Sequence, residues 1–213
     1  MGAIFLSEIS ESLRYGAHML KVGLTGGIAS GKTSVANQLR DLGATIIDSD
    51  VLAREVVEPG TDGFAEVVKR FGNRAIGPDG GLDRQWLGSV VFLDENARRD
   101  LNAIIHPRVR KAARLMEAKV PDDGVAVQVI PLLVETNQQD DFDCVVVVDV
   151  PEEVQIKRLV ARNGFTRPQA ESRIRSQASR QERLAVADFV IDNSSSFEHT
   201  RIQVEELWRR LVG

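Results

Sequence analysis

Five short apolar stretches recur along the chain, bounded by glycine or polar residues and separated by segments with helical spacing. They are LKVGLT (20–25), GATIID (43–48), GVAVQVI (124–130), CVVVVDV (144–150) and ADFVID (187–192). Val35, Leu39 and Leu42 mark one face of a first helix, and Leu101, Ile104, Ile105, Val109, Ala112 and Leu115 mark a longer one. Apolar strands alternating with helices are the pattern of a parallel sheet, because parallel neighbours need a crossover and a helix supplies it. The connection between the second and third strands is too long for this purpose alone, at about 75 residues. It carries several helical segments broken by GNRAIGPDGG (72–81), which predicts a helical substrate-binding insert over about residues 51–120.

Length and composition restrict the picture further. A chain of 213 residues with 43% hydrophobic and 27% charged positions buries one α/β core plus a small appended piece. It shows no internal repeat, low-complexity tract or proline-rich linker, so the insert is expected to pack on the core. The balance of 27 basic against 31 acidic residues, net −4, argues against a broad nucleic-acid surface, so a polyanion must be met locally. The single cysteine, Cys144, excludes an intramolecular disulfide and a paired-cysteine metal site, and fits a reducing compartment such as the cytoplasm. No apolar run approaches the ~18 residues of a membrane span. MGAIFLSEISESLRYGAHM lacks the early basic residues and cleavage site of a secretory signal, and reads as a tag or extension ahead of a start at Met19.

The chemistry begins in GGIASGKT, Gly26 to Thr33, which fits G-x-x-x-x-G-K-[ST] between a strand and a helix. Glycines let the backbone curl so that amides point inward at phosphate oxygens, and the helix end adds partial positive charge. The cradle runs through Gly27, Ile28, Ala29, Ser30, Gly31, Lys32, Thr33 and Ser34. Lys32 is placed to reach the outer phosphates, and the Thr33 hydroxyl to hold Mg²⁺. The ligand is ATP or GTP. An N-K-x-D guanine reader is absent from the sequence, which weakens a GTPase switch, and the length leaves little for a mechanical ATPase. A small-molecule kinase fits best, since transfer needs only a second pocket, a base and a positive cover.

Ligands of open parallel sheets lie beyond the carboxyl ends of the strands, which brings forward Asp48 and Asp50 in IIDSDVLAREVV (46–57). One carboxylate accepts an acceptor hydroxyl's proton while the other orients it, or an aspartate simply caps the helix that follows. A run of seven arginines, Arg158, Arg162, Arg167, Arg173, Arg175, Arg180 and Arg183, surrounds the turn NGFTRP (163–168) and predicts a helical lid over 158–183. Some of the seven are expected to be solvated partners of Glu152, Glu153, Glu171 and Glu182.

Six motifs in order, VGLTGGIASGKT, IIDSDVLAREVV, IIHPRV (104–109), VIPLLVE (129–135), RLVARNG (158–164) and RIRSQASRQERLAVADFVIDN (173–193), make the chain from Leu20 onward resemble the dephospho-CoA kinase family. The resemblance implies a P-loop NTPase-like α/β fold: a five-stranded parallel sheet with helices on both faces, a helical insert and a helical lid. It implies transfer of the ATP γ-phosphate to the 3′-hydroxyl of dephospho-CoA with Mg²⁺, by a chain that is a monomer or weak homo-oligomer with no nucleic-acid or membrane partner. Asp50 matches the family's general base, and Lys32 and Arg162 complete the catalytic set. Asp48, Arg54 and His106 match the acceptor side, His106 alternatively capping a kinked helix at Pro107. Leu132, Leu133 and Glu135 match the acceptor pocket wall, although paired leucines beside a strand are ordinarily core. Asn193 matches a position near adenine, or else caps the helix beginning near Phe197. Three departures are mild: Ser49 between the aspartates, Val134 in PLLVE, and Ala29 where the family usually has glycine. Ala29 is tolerable provided its backbone stays out of the glycine-only region.

Overall fold

The computed structural model describes residues 19–213, so all but the last residue of the predicted N-terminal extension lies outside the described residues. Strands β1 (Leu20–Gly26), β2 (Thr45–Asp48), β3 (Val125–Val129), β4 (Cys144–Asp149) and β5 (Phe189–Asp192) form one parallel sheet in the order β2-β3-β1-β4-β5. β1 lies between β3 and β4, with Val22 opposite both Val127 and Cys144, so the strand that feeds the phosphate loop is flanked on both sides. Among the described residues the helices are α1 (Lys32–Leu42), α2 (Ser49–Glu55), α3 (Asp62–Phe71), α4 (Arg84–Leu93), α5 (Glu95–Glu117), α6 (Glu152–Asn163), α7 (Arg167–Arg175), α8 (Arg180–Ala185) and α9 (Phe197–Val212). None of them is long and apolar enough to cross a membrane.

The chain divides into two compact units, one of residues up to Ile47 together with Val120–Gly213, the other Asp48–Lys119. In the sheet unit, the side chains of β4 alternate between two faces as a pleated strand requires. Cys144, Val146 and Val148 join Val35 and Leu39 of α1 and Val204, Leu207 and Leu211 of α9 in the main core. Val145 and Val147 point the other way, against Leu133, Val134, Phe142 and Leu184. α1 and α9 therefore cover one face, and the 130–142 segment with α8 covers the other. A third apolar cluster joins Ile156 and Leu159 of α6 and Ala170 of α7 to Ile28 and Ala29 of the phosphate loop. The α6–α7 hairpin, which overlaps the stretch predicted as a lid and begins ahead of it, thus packs directly on the loop. The Cys144 thiol is fully buried and pushed up to about 12, first by desolvation and then by Asp188 and Asp143, so it is a protonated core residue.

The Asp48–Lys119 unit has its own core of Val57, Val67, Ala75 and Leu87, packed with Leu101, Ile104 and Ile105 of α5. The caps explain why its helices start where they do: Thr61, Asp83 and Asp94 each accept from a backbone N–H of the following first turn. The predicted break at 72–81 is present: Gly72 ends α3 with φ 78, and a 3₁₀ turn at Asn73–Ala75 and a bridge between Ile76 and Leu82 lead into α4.

Leu39 is fully buried between α1 and the sheet, whereas Ile202 on α9 is 50% exposed. Leu39→Ala is expected to cost about 2–5 kcal/mol through lost burial and a cavity, and Ile202→Ala at most about 0.5 kcal/mol. Equilibrium denaturant unfolding of the two variants checks the contrast.

Candidate active site

The loop from Gly26 to Ser34 is held in a shape that only certain residues adopt cheaply. Gly31 sits at φ 97 as the N-cap of α1, and any side chain there would collide with the Asn193 amide. Gly27 needs its missing Cβ for a different reason: that atom would lie 2.8 Å from Arg183 Nη2 and nearer still to the Gln155 amide. Ala29 sits at φ 59, in the left-handed region that glycine favours, so the departure from the family's glycine falls where an alanine is strained. The N-terminus of α1 has no side-chain cap and no acidic residue in its first turn, so it retains the positive end that a polyphosphate requires. Lys32 Nζ donates to the carbonyl oxygens of Gly26 (2.8 Å) and Gly27 (3.1 Å), which folds its ammonium back over the start of the loop. Thr33 follows on the exposed side and Ser34 is half-buried, its hydroxyl accepting from Gln38.

Side chains from later in the sequence grip the loop's carbonyls. Gln155 Nε2 donates to Ile28 O at 2.7 Å, and Arg158 Nη1 to Ala29 O at 3.2 Å and Ser30 O at 3.1 Å. Asn193 Nδ2 donates to Ser30 O at 2.7 Å, while its Oδ1 accepts from Thr200 and its carbonyl from Arg158. The Ile28 N–H donates to Gln177 Oε1 at 2.7 Å. Asn193 therefore braces the phosphate loop and does not cap α9, a position taken by Ser196, whose hydroxyl accepts from His199 N–H. Arg162 is exposed on the last turn of α6, one turn beyond the loop-gripping Arg158, and donates to its neighbour Asn163 at 2.9 Å.

The residues taken as an acceptor wall divide in the same way. Leu133 is fully buried beneath Gly23 and Phe142 and has no surface to offer a ligand; it is core, as the ordinary reading of paired leucines has it. Leu132 is 46% exposed, and Glu135 accepts from the Ala178 N–H at 2.7 Å, tying the end of the β3 segment to the α7–α8 connection. In the Asp48–Lys119 unit, Asp48 Oδ1 accepts from the N–H groups of Asp50 (2.9 Å) and Val51 (3.2 Å), so capping falls to Asp48. Asp50 is exposed in the first turn of α2, and Arg54 lies four residues on, the spacing that shares a helix face. His106 is exposed on α5 beside Pro107, which lies within the helix and does not end it. Its imidazole is held below the ordinary 6.5, first by partial desolvation and then by Arg110 one turn on.

Sequence reasoning passed over Gln155, Gln177 and Asp149 as site residues, and named Arg180 and Arg183 only within the arginine run. Asp149 ends β4 next to β1, where the carboxyl-end rule points, and it accepts a bidentate pair from Arg180 Nε and Nη2 at 3.0 and 2.6 Å. Gln155 carried a weaker signal, a polar residue between Val154 and Ile156 that the helix nonetheless buries.

A parallel sheet in this order, with a lysine-bearing glycine loop opening α1 beyond the central strand, defines a P-loop nucleotide-binding protein. The model of the dephospho-CoA kinase family matches residues 20–199, and the chain belongs to that family. Dephospho-CoA kinases from Thermobifida fusca and Cutibacterium acnes are each 50% identical to it, over 91% of this chain and 96% of the first relative, and 92% and 86% for the second. Among solved structures, one from Thermus thermophilus matches with TM-score 0.80 at 30% identity, over 92% of this chain and all of that one. The dephospho-CoA kinase of Campylobacter jejuni matches with TM-score 0.69 at 25% identity, over 90% and 96%. A shikimate kinase from Bacteroides thetaiotaomicron, at 15% identity and TM-score 0.54, shares the fold.

Two outcomes follow from this geometry. Ala29→Gly relieves a strain of about 1–2 kcal/mol against an unfolded-state entropy cost of about 0.4–1 kcal/mol; thermal unfolding should show no loss of stability and a gain of up to about 1.6 kcal/mol. NMR titration should find the His106 midpoint below 6.5, and Arg110→Ala should raise it, since removing a neighbouring cation favours the imidazolium.

Proposed function

We propose that this chain transfers the γ-phosphoryl group of ATP to the 3′-hydroxyl of dephospho-CoA, giving coenzyme A and ADP, the last step of coenzyme A formation. The observation that carries the reading is the family match across residues 20–199 on a chain whose phosphate loop is complete and whose lysine is seated on it. The uncapped amides of α1 suit the triphosphate. Among the described residues no group of three or more His, Cys, Asp or Glu could hold a metal ion, which suits a cation carried largely by phosphate oxygens. Mg²⁺ bound there neutralises phosphate charge, and Thr33 is the residue that would hold it.

The acceptor oxygen forms a bond to the γ-phosphorus while the bond from that phosphorus to the β,γ-bridging oxygen breaks, its electron pair leaving with ADP. The hydroxyl proton passes to the Asp50 carboxylate. Lys32 holds the outer phosphates, and Arg54 and His106 orient the acceptor from the Asp48–Lys119 unit, which we take as the acceptor-binding insert. Neutral imidazole at His106 suits a hydrogen bond to the acceptor better than a charge. The small-molecule substrate and the single cysteine of the sequence support a cytoplasmic enzyme.

A coupled ADP-release assay tests the reading: turnover that requires dephospho-CoA supports it, and hydrolysis indifferent to the acceptor overturns it. Asp50→Asn is expected to keep ATP affinity and lose about 10²- to 10⁴-fold in kcat; an unchanged kcat removes Asp50 as the base.

A further inference from the structure

We propose that Arg183 is the guanidinium that meets the transferring phosphoryl group, and that Gln177 is the positioning residue that seats it on the loop. The assignment rests on the kinase reading above and deepens it. In a G-x-x-x-x-G-K loop the lysine reaches the outer phosphates, and Lys32 Nζ lies on the carbonyls of Gly26 and Gly27, which makes Gly26–Ile28 the outer-phosphate end. The α7–α8 connection docks at that end through Gln177, whose Oε1 accepts the Ile28 N–H. Arg183, on α8, is 5% exposed, and its Nη2 lies 2.8 Å from where a Cβ of Gly27 would stand. Lys32 and Arg183 thus both end at Gly27.

Each of the other six arginines of the run meets a protein partner, and among the described residues Arg183 is the only one of the seven that is buried. Arg158 holds loop carbonyls, Arg162 donates to Asn163, and Arg167 pairs with Glu153 and Glu171. Arg173 lies over the Phe165 ring, Arg175 faces Glu171, and Arg180 grips Asp149. Among the described residues Arg183 makes one hydrogen bond, from Nη1 to the Ala178 carbonyl. Glu135, Asp149 and Glu182 lie near enough to act on it electrostatically, yet each is committed to another donor: Ala178 N–H, Arg180 and Ser179 N–H respectively. The remaining N–H donors of Arg183 meet no protein acceptor among the described residues, and an anion at this end of the loop would take them. The outer phosphate is that anion. As the acceptor oxygen bonds to γ-phosphorus and the β,γ-bridge bond breaks toward ADP, charge gathers on the phosphoryl and bridging oxygens. Arg183 donates hydrogen bonds to them without giving up a proton.

Arg183→Ala and Arg183→Lys test the assignment through single-turnover transfer from ATP to dephospho-CoA, with ATP affinity measured separately. Arg183→Ala should lose about 10³-fold or more in kcat with ATP affinity changed by less than about tenfold, and millimolar guanidinium ion should restore turnover saturably, a rescue that a purely structural role does not give. Arg183→Lys keeps the charge and loses the planar fork; it should stay folded by thermal melting and remain well below wild type. Gln177→Leu should lower kcat with little change in the KM for dephospho-CoA. Wild-type kcat in a folded Arg183→Lys, equal losses of ATP affinity and kcat, or no guanidinium rescue would overturn the assignment while leaving the kinase reading intact. A wild-type protein without acceptor-dependent turnover sinks both.

Discussion

The backbone of the phosphate loop is the constraint on which the rest of the sheet unit depends. A trans peptide holds its C=O and N–H antiparallel, so a side chain that binds a carbonyl from outside fixes the direction of the next amide. Gln155 and Arg158 pull the carbonyls of Ile28, Ala29 and Ser30 outward, and Asn193 adds a second bond to Ser30. The peptides 28–29 and 30–31 then turn the N–H groups of Ala29 and Gly31 inward, while the Ser30 N–H closes a turn onto Gly27 O. The positive φ values at Ala29 and Gly31 are what this arrangement costs. Three side chains from two distant segments offset that cost, so the cradle is set before any phosphate arrives.

The sheet makes such precision available. Asp149 and Asn193 stand at or just beyond the ends of β4 and β5, the two strands on one side of β1, and Glu135 follows β3 on the other. The packed apolar faces of these strands fix where their ends project, and the ends hold the polar groups that would be expensive in the core. α6 and α7 close the arrangement by placing Ile156, Leu159 and Ala170 on Ile28 and Ala29, so one hairpin supplies both apolar cover and carbonyl grip. The Gln155 and Arg158 bonds are part-buried there, where a hydrogen bond is stronger than in open water.

Much of this was legible in the sequence because its causes are local. Strand alternation and the glycine-lysine spacing depend on neighbouring residues, and all five strands and the loop fall where the pattern places them. The errors are at boundaries: GATIID begins as the C-cap of α1 at Gly43, and only Thr45–Asp48 pairs in the sheet. What spacing does not encode is depth. Arg162 and Arg183 look alike in the sequence, yet Arg162 ends a helix before Gly164 and faces solvent, while Arg183 precedes Leu184, whose packing on the second sheet face carries the guanidinium inward. Likewise D-x-D advertises two equivalent carboxylates, and only the backbone geometry at the start of α2 makes Asp48 the cap and leaves Asp50 exposed in the first turn.

The division into two cores separates the residues we propose for the acceptor from those that shape the phosphate loop. Asp50, Arg54 and His106 belong to a unit stabilised by Val57, Val67, Ala75 and Leu87, none of which contributes to the core beneath the phosphate loop. Within it, Pro107 withdraws one backbone donor from the middle of α5, and its neighbour Arg108 donates to Ile104 O at 2.7 Å while pairing with Glu66 at 2.8 Å. The helix continues past His106, and Arg110 and Arg114 follow it at successive one-turn intervals. Substitutions on that helix leave untouched the carbonyl grip that shapes the loop, none of whose side chains lies in this unit. The donor half is correspondingly constrained, because a change at Gly27, Gly31 or Asn193 meets the loop backbone itself.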